Sequence, residues 1–127
     1  MKNLLTASAA LEIGAGVSLL GLPSATAALL IGAPLESPAS LIVGRVGGAG
    51  LLALGVACWL ARRDARSLAA RGVVAAMSVY NVAACVVLAY AGIGYGLHGV
   101  ALWPVAVLHA VMGVWCATSL VTRAATS

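Results

Sequence analysis

The sequence predicts an all-α fold, a four-helix transmembrane bundle with a short interfacial helix between helices one and two. Two observations on composition lead to this prediction: 63% of the 127 residues are hydrophobic, and only 8% are charged. Soluble domains carry about 25% charged residues, so we expect lipid to be the solvent of this chain. The 15 glycines agree, because membrane helices pack through small residues. We expect residues 1–127 to form a single integral membrane domain.

The first spanning helix is predicted at residues 3–22. At 1.5 Å per residue, its length matches the hydrocarbon thickness of a bilayer, about 30 Å. Pro23 is expected to stop this helix. Ser24 then has the character of an N-cap for a short helix at residues 25–31, and Gly32 is expected to close it. A helix of this length cannot span a bilayer, so we expect it at the outer interface.

Capping residues also mark the later spans. Ser37 followed by Pro38 has the pattern of an N-cap and a first-turn proline, and Ser67 is expected to cap the next helix. The last span begins most simply with Pro104 as its first residue, although an earlier start with a kink at Pro104 remains open. The second, third and fourth spans are therefore predicted at residues 38–61, 68–91 and 104–123.

The distribution of basic residues predicts the topology. The amino terminus, the second loop and the carboxyl end hold Lys2, Arg62, Arg63, Arg66, Arg71 and Arg123, whereas the first and third loops contain no lysine or arginine. By the positive-inside rule, both termini are expected in the cytoplasm, in a multi-pass protein of the cytoplasmic (inner) membrane. Because these residues lie at helix ends, they indicate lipid as the partner and no nucleic acid.

Each predicted span carries one polar residue at membrane depth: Glu12, Arg45, Asn81 and His109. Such groups are costly in lipid, so they normally face the bundle interior and have partners. Counted from the outer helix ends, Glu12 and Asn81 lie about 15 Å deep, and Arg45 and His109 about 10 and 8 Å. We therefore predict one polar cluster in the outer half of the membrane. Within it, Glu12 and Arg45 are expected to form an ion pair.

Two functions are compatible with such a cluster. It can be a static lock that fixes helix pairing, in a small accessory or binding subunit that packs in a homo-oligomer or a larger membrane complex. Alternatively, a titratable carboxylate or an anion-binding arginine would serve a small-solute or proton-coupled transporter. The chain contains no recognisable catalytic motif, so we predict no catalytic residues, and an enzyme is unsupported.

A soft-metal face is a further hypothesis, because thiol, thioether and imidazole groups suit copper(I). Two predicted helices present such groups at helical spacing: Met77, Cys85, His109, Met112 and Cys116. Methionine and cysteine are also ordinary core residues, and no Cys-x-x-Cys pair occurs, so this signal is weak. A bis-histidine haem would require His98, which lies in the outer loop beside the same helix. We accordingly predict no metal and no cofactor.

Two resemblances arise from particular segments. Leu11-Glu12-Ile13-Gly14 resembles the first helix of the small multidrug resistance transporters, where such a glutamate exchanges protons for cationic drugs in an antiparallel dimer; this covers only part of one helix. Most of the chain resembles an uncharacterised family of small four-helix bacterial membrane proteins, which implies the fold and no particular activity. The segments that carry this second resemblance are Glu12 with Gly14 and Gly16, Gly44-Arg45-Val46, Ala57-Cys58-Trp59-Leu60-Ala61, Tyr80-Asn81, Leu102-Trp103-Pro104, Leu108-His109 and Trp115-Cys116.

Overall fold

The computed structural model describes residues 1–124, and in this range it contains five α-helices, one 3-10 turn and no strand. The helices are α1 (Lys2–Gly21), α2 (Pro23–Ile31), α3 (Pro38–Ala61), α4 (Leu68–Gly94) and α5 (Leu102–Ala124). All but α2 are long and apolar enough to cross a membrane. The predicted all-α bundle is therefore confirmed, and the chain is a multi-pass membrane protein.

Serine side chains cap α3 and α4 as the sequence predicts. The Ser37 hydroxyl accepts a hydrogen bond from the Ser40 amide at 3.0 Å, and Pro38 occupies the first turn. The Ser67 hydroxyl accepts one from the Ala70 amide at 3.1 Å. These bonds satisfy backbone donors that a helix leaves free at its start.

The short helix α2 differs from the prediction at its first turn. α1 ends at Gly21, just before Pro23, as expected, but Pro23 itself belongs to the first turn of α2, where an N–H would have no intrahelical partner. Leu22 is the N-cap and makes no side-chain bond, so Ser24 does not cap this helix. Gly32 closes α2 with a φ of 75°, a left-handed conformation that glycine adopts without a steric penalty.

The last two helices are longer than the sequence indicates. α5 begins at Leu102, two residues before Pro104, and α4 continues to Gly94. Proline is tolerated anywhere in a first turn, because those amides have no intrahelical acceptor. Pro104 therefore lies in the first turn of α5 but is not its first residue.

Two helix pairs build the bundle. α1 packs closely on α3, α4 packs closely on α5, and α3 touches α4 only sparsely. The α1–α3 contact is a backbone contact: a Cβ placed on Gly16 would lie 2.8 Å from the Gly48 carbonyl oxygen, and one on Gly55 would lie 2.8 Å from the Ile13 nitrogen. The two helices thus approach as closely as small residues permit.

The two helix pairs enclose two buried apolar clusters, one towards each end. One cluster, at the end that holds the amino terminus, includes Leu4, Leu5, Cys58, Met77 and Cys116. The other cluster joins α4 and α5, and α2 packs on it through Leu30 and Ile31. The Ala101 amide donates to the Leu29 carbonyl at 3.0 Å, which ties the end of α2 to the start of α5. α2 consequently covers this second end of the bundle.

Replacing Gly48 by alanine should weaken the bundle. The new Cβ would lie 2.7 Å from the Leu20 nitrogen and 2.9 Å from the Gly16 carbonyl oxygen, so α1 and α3 must move apart. Overpacking of this kind costs about 1–3 kcal/mol. We expect a loss of that size in the free energy of unfolding, measured by titrating detergent micelles with a denaturing detergent. Gly50→Ala on the same helix is the matched control, since its Cβ would meet nothing within 4 Å. Equal losses for both variants would contradict this packing.

Candidate functional site

Glu12 lies in the middle of α1 and is only 5% exposed. It belongs to a buried stripe with Ser8 and Gly16, at intervals of four residues along one face of the helix. Glu12 and Tyr80 of α4 border a common cavity. The sequence pattern that makes α1 apolar overall therefore places one acid against α4, inside the bundle.

Asn81 and His109 form a direct hydrogen bond between α4 and α5. The distance from His109 Nδ1 to Asn81 Oδ1 is 2.8 Å, and Asn81 Nδ2 donates to the Met77 carbonyl, also at 2.8 Å. Because a carbonyl only accepts, the amide group of Asn81 must face Met77 and its oxygen must face the imidazole. His109 therefore donates through Nδ1, and in the neutral ring Nε2 is left as an acceptor.

Tyr80 lies beside this pair and borders the same cavity as Glu12. Its ring meets that of His109 edge to face, with centroids 5.4 Å apart and an interplanar angle of 84°. The structure thus brings three of the four predicted cluster residues together: Glu12, Asn81 and His109. Tyr80 was not assigned to the predicted cluster, but its phenol at mid-membrane depth needs a polar partner, which left open that it extends the polar network or faces a neighbouring subunit.

Ser8 is a second residue that the sequence reasoning missed. It lies one turn before Glu12 on the same buried stripe and is 1% exposed. Its hydroxyl has no hydrogen-bond partner among the described residues. The spacing of four residues from Glu12 was the available signal. The polar face of α1 thus continues one turn beyond Glu12 towards the basic end of the bundle.

A cavity of about 140 Å³ lies at the centre of this group, between α1, α4 and α5. It is lined by Leu11, Glu12, Ala15, Tyr80, Asn81, Val105, Leu108, His109 and Met112. A water molecule needs only about 10–15 Å³ of such space and two or more polar partners. The cavity can therefore hold several waters or a small solute beside the carboxyl.

A second cavity, of about 310 Å³, adjoins the first on the side of α2. The two share Ala15, Tyr80, Val105 and His109, and the second also reaches Thr26 and Leu30 of α2. Its lining is otherwise mainly apolar. Space therefore continues from the carboxyl towards the end of the bundle that α2 covers.

Arg45 lies outside this site. Gly55 of α3 packs against Ile13 of α1, and Gly48 packs against Leu20. The α3 residue at the same height along the bundle as Glu12 is therefore close to residue 55. Arg45 is about ten residues from that level, or roughly 15 Å along the helix axis, and its side chain is exposed. That distance exceeds the reach of an arginine side chain, so the Glu12–Arg45 ion pair is not formed and that part of the predicted cluster is wrong.

The physical reason lies in the helix ends. The prediction measured depth from the outer end of each helix and assumed that those ends are level. In the structure α2 occupies the space above α1, and Pro23 at its start packs against Gly44 of α3. α3 therefore extends beyond the end of α1. Arg45 lies in this extension, at a distance from Glu12 along the bundle.

The proposed soft-metal residues divide into two groups. Met77, Met112 and Cys116 lie in the apolar cluster at the amino-terminal end together with Cys58, whereas Cys85 lines a separate cavity of about 340 Å³ that also touches His109. Cys85 follows Met77 by eight residues, which places the two side chains about 80° apart around the axis of α4. This angle explains the separation. Among the described residues, no group of three or more His, Cys, Asp or Glu side chains is placed to hold a metal ion.

The charge of the site follows from these positions. No lysine or arginine of the described chain lines the central cavity, and Arg45 is remote. An ionised carboxylate without a counter-charge is costly at this depth. The site can meet that cost by holding a proton on Glu12 or a cation beside it. No protein-family model, curated protein sequence or solved structure matches the chain, so these residues carry the functional interpretation alone.

The tautomer of His109 provides a direct check of this geometry. In ¹⁵N NMR spectra of histidine-labelled protein, we expect His109 to carry its proton on Nδ1. Asn81→Leu should abolish that preference and lower the stability by about 1 kcal/mol, because it removes the acceptor. His98, the other histidine and an exposed loop residue, is the internal control and should not change. An unchanged His109 signal in Asn81→Leu would rule out the hydrogen bond as the cause.

Proposed function

We propose that this protein binds a small cationic solute at Glu12, in exchange for a proton, as a small-solute transporter of the bacterial inner membrane. The observation that carries the proposal is a buried acid with no basic partner among the described residues, placed on a cavity large enough for a solute. A proton and a cation are alternative ways to neutralise that acid. Competition between them at one carboxylate couples the movement of one to the movement of the other.

Each residue of the site has a distinct role in this proposal. Glu12 supplies the negative charge that binds the cation. Tyr80 lines the same cavity and offers its ring face to the cation, since cations are attracted to aromatic faces. His109 offers Nε2 as an acceptor, and Asn81 fixes the orientation of the imidazole through Nδ1.

The cavities favour a solute that is partly apolar. Beyond Glu12, Asn81, Tyr80 and His109, the linings of both cavities are aliphatic, apart from Thr26. Such walls bind hydrocarbon, while the few polar groups orient the charge. With both termini in the cytoplasm, as the positive-inside rule indicates, the second cavity, on the side of α2, would open towards the outer face of the membrane. A lipophilic ammonium ion meets these requirements.

An accessory role in a membrane complex is the second candidate, and a groove along α3 favours it. The groove has a volume of about 700 Å³, and its lining is Leu19, Gly47, Gly50, Leu51, Ala53, Leu54, Ala57 and Tyr80. Small residues at helical spacing allow another helix to approach closely. A second copy of this chain or a helix of a larger complex would fit such a surface.

The transporter proposal predicts that Glu12→Gln abolishes cation binding. Protein in lipid nanodiscs is titrated with tetraethylammonium by calorimetry, in two buffers of different ionisation enthalpy to count released protons. Wild type should bind the cation and release protons, whereas Glu12→Gln should bind it at least about tenfold more weakly, because the counter-charge is gone. Glu36→Gln is the matched control, since Glu36 is an exposed loop residue. Binding that survives in Glu12→Gln, or is absent from wild type, would contradict the proposal.

The accessory role predicts a different outcome for Gly50→Leu. This change fills the α3 groove at a position where an added side chain starts in open space, so the monomer should still fold. If the groove holds a partner helix, light scattering of the detergent-solubilised protein should show a complex for wild type and a smaller species for Gly50→Leu. A monomer in both cases would exclude a homo-oligomer through this surface, and cation binding should be unaffected.

A further inference from the structure

The opposite end of the bundle carries a basic cavity that the proposed transport site does not use. It has a volume of about 400 Å³ and is lined by Lys2, Arg62, Arg63, Asp64, Ala65 and Arg66. Four basic side chains and one acidic side chain leave an excess of three positive charges. The cavity lies where α3 ends and α4 is about to begin, which is the level of the lipid headgroups for helices that span a bilayer.

Arg62 is held in a fixed orientation at this cavity. Its guanidinium carbon lies 3.3 Å from the centroid of the Trp59 ring, so the two planar groups stack. The Arg62 Nε atom is buried and has no hydrogen-bond partner among the described residues. A buried N–H without an acceptor is uncommon, because the lost hydrogen bond to water is not replaced. An oxygen atom of water or of a bound ligand would satisfy this donor.

The loop that presents these arginines is itself well defined. Residues Arg62–Asp64 form a 3-10 turn directly after α3. The Ser67 amide and hydroxyl both donate to the Asp64 carbonyl, at 3.1 and 2.9 Å, and the same hydroxyl caps α4. Lys2 reaches the cavity from the first turn of α1, which packs against this turn. The backbone of this loop is thus positioned by hydrogen bonds, and Arg62 by its contact with Trp59.

We infer that this cavity binds a phosphate group, and that the phosphodiester of an anionic phospholipid is its source in the membrane. Phosphate offers several acceptor oxygens, and the planar fork of arginine donors matches their geometry. Basic pockets at the ends of membrane helices recognise anionic headgroups through the same chemistry. The stacked Arg62 would direct its free donors to the phosphate, with Lys2, Arg63 and Arg66 supplying further charge. Inorganic phosphate is the alternative source.

Titration with soluble short-chain lipids tests this inference. Detergent-solubilised protein is titrated with dihexanoyl-phosphatidylglycerol, with dihexanoyl-phosphatidylcholine and, in a third arm, with inorganic phosphate, and bound ligand is counted by native mass spectrometry. We expect phosphatidylglycerol to bind on the order of tenfold more tightly than phosphatidylcholine, whose own cation is repelled by the cavity. Binding of inorganic phosphate alone would retain the phosphate site and reject the lipid as its source. Absence of binding in the first and third arms would overturn the inference.

Two charge-conserving variants separate a built site from diffuse surface charge. Arg62→Lys keeps the charge but loses the planar fork, and Trp59→Leu keeps every charge but removes the stacking surface. Both should weaken phosphatidylglycerol binding roughly tenfold while the circular dichroism spectrum stays helical. Arg45→Lys is the matched control, because Arg45 is exposed on α3 far from this loop. If affinity is unchanged in both test variants, the attraction is diffuse and the inference is wrong.

Discussion

The backbone contact between α1 and α3 determines what the rest of the structure can do. Gly16, Gly48 and Gly55 let these helices approach until a single added methyl group would clash with the partner backbone. This contact occupies the side of α1 that contains Ile13 and Leu20. Glu12 lies about 100° away from Ile13 around the axis and so faces α4 and α5 instead. The register of two glycine-rich helices therefore decides which neighbours an acid at residue 12 can have.

The same contact explains why space remains inside so small a bundle. α1 and α3 are drawn together, and α4 and α5 are joined by close packing and by the Asn81–His109 hydrogen bond. The two pairs meet over a smaller surface, so cavities persist between them. Bulky residues would fill such space if the bundle were selected for stability alone, since unfilled volume weakens packing. In our proposal, the bound cation occupies the cavities that end on the Glu12 carboxyl and the His109 imidazole.

The fold was accessible from the sequence because its signals are local. Hydrophobic length gives the spans, and Ser37 and Ser67 mark two helix starts through bonds made within one turn. The site was accessible only in part. Glu12, Asn81 and His109 converge because polar groups at membrane depth must seek one another. Arg45 does not join them, because its level depends on how α2 packs above α1, a tertiary arrangement that counting residues from helix ends cannot recover.

Both proposed sites follow from groups whose partners are absent from the described chain. The chain has three acidic residues, and of these only Glu12 lies within one of the long helices. No basic side chain of the described residues lines the cavity beside it. At the other end, Arg62 stacks on Trp59 but keeps a buried donor without an acceptor. In a protein with so few charges, each uncompensated group carries a desolvation cost of order several kcal/mol in an apolar environment. A cation at Glu12 and an anion at Arg62 would each offset that cost, and the opposite signs of the two ligands make the two sites separable by experiment.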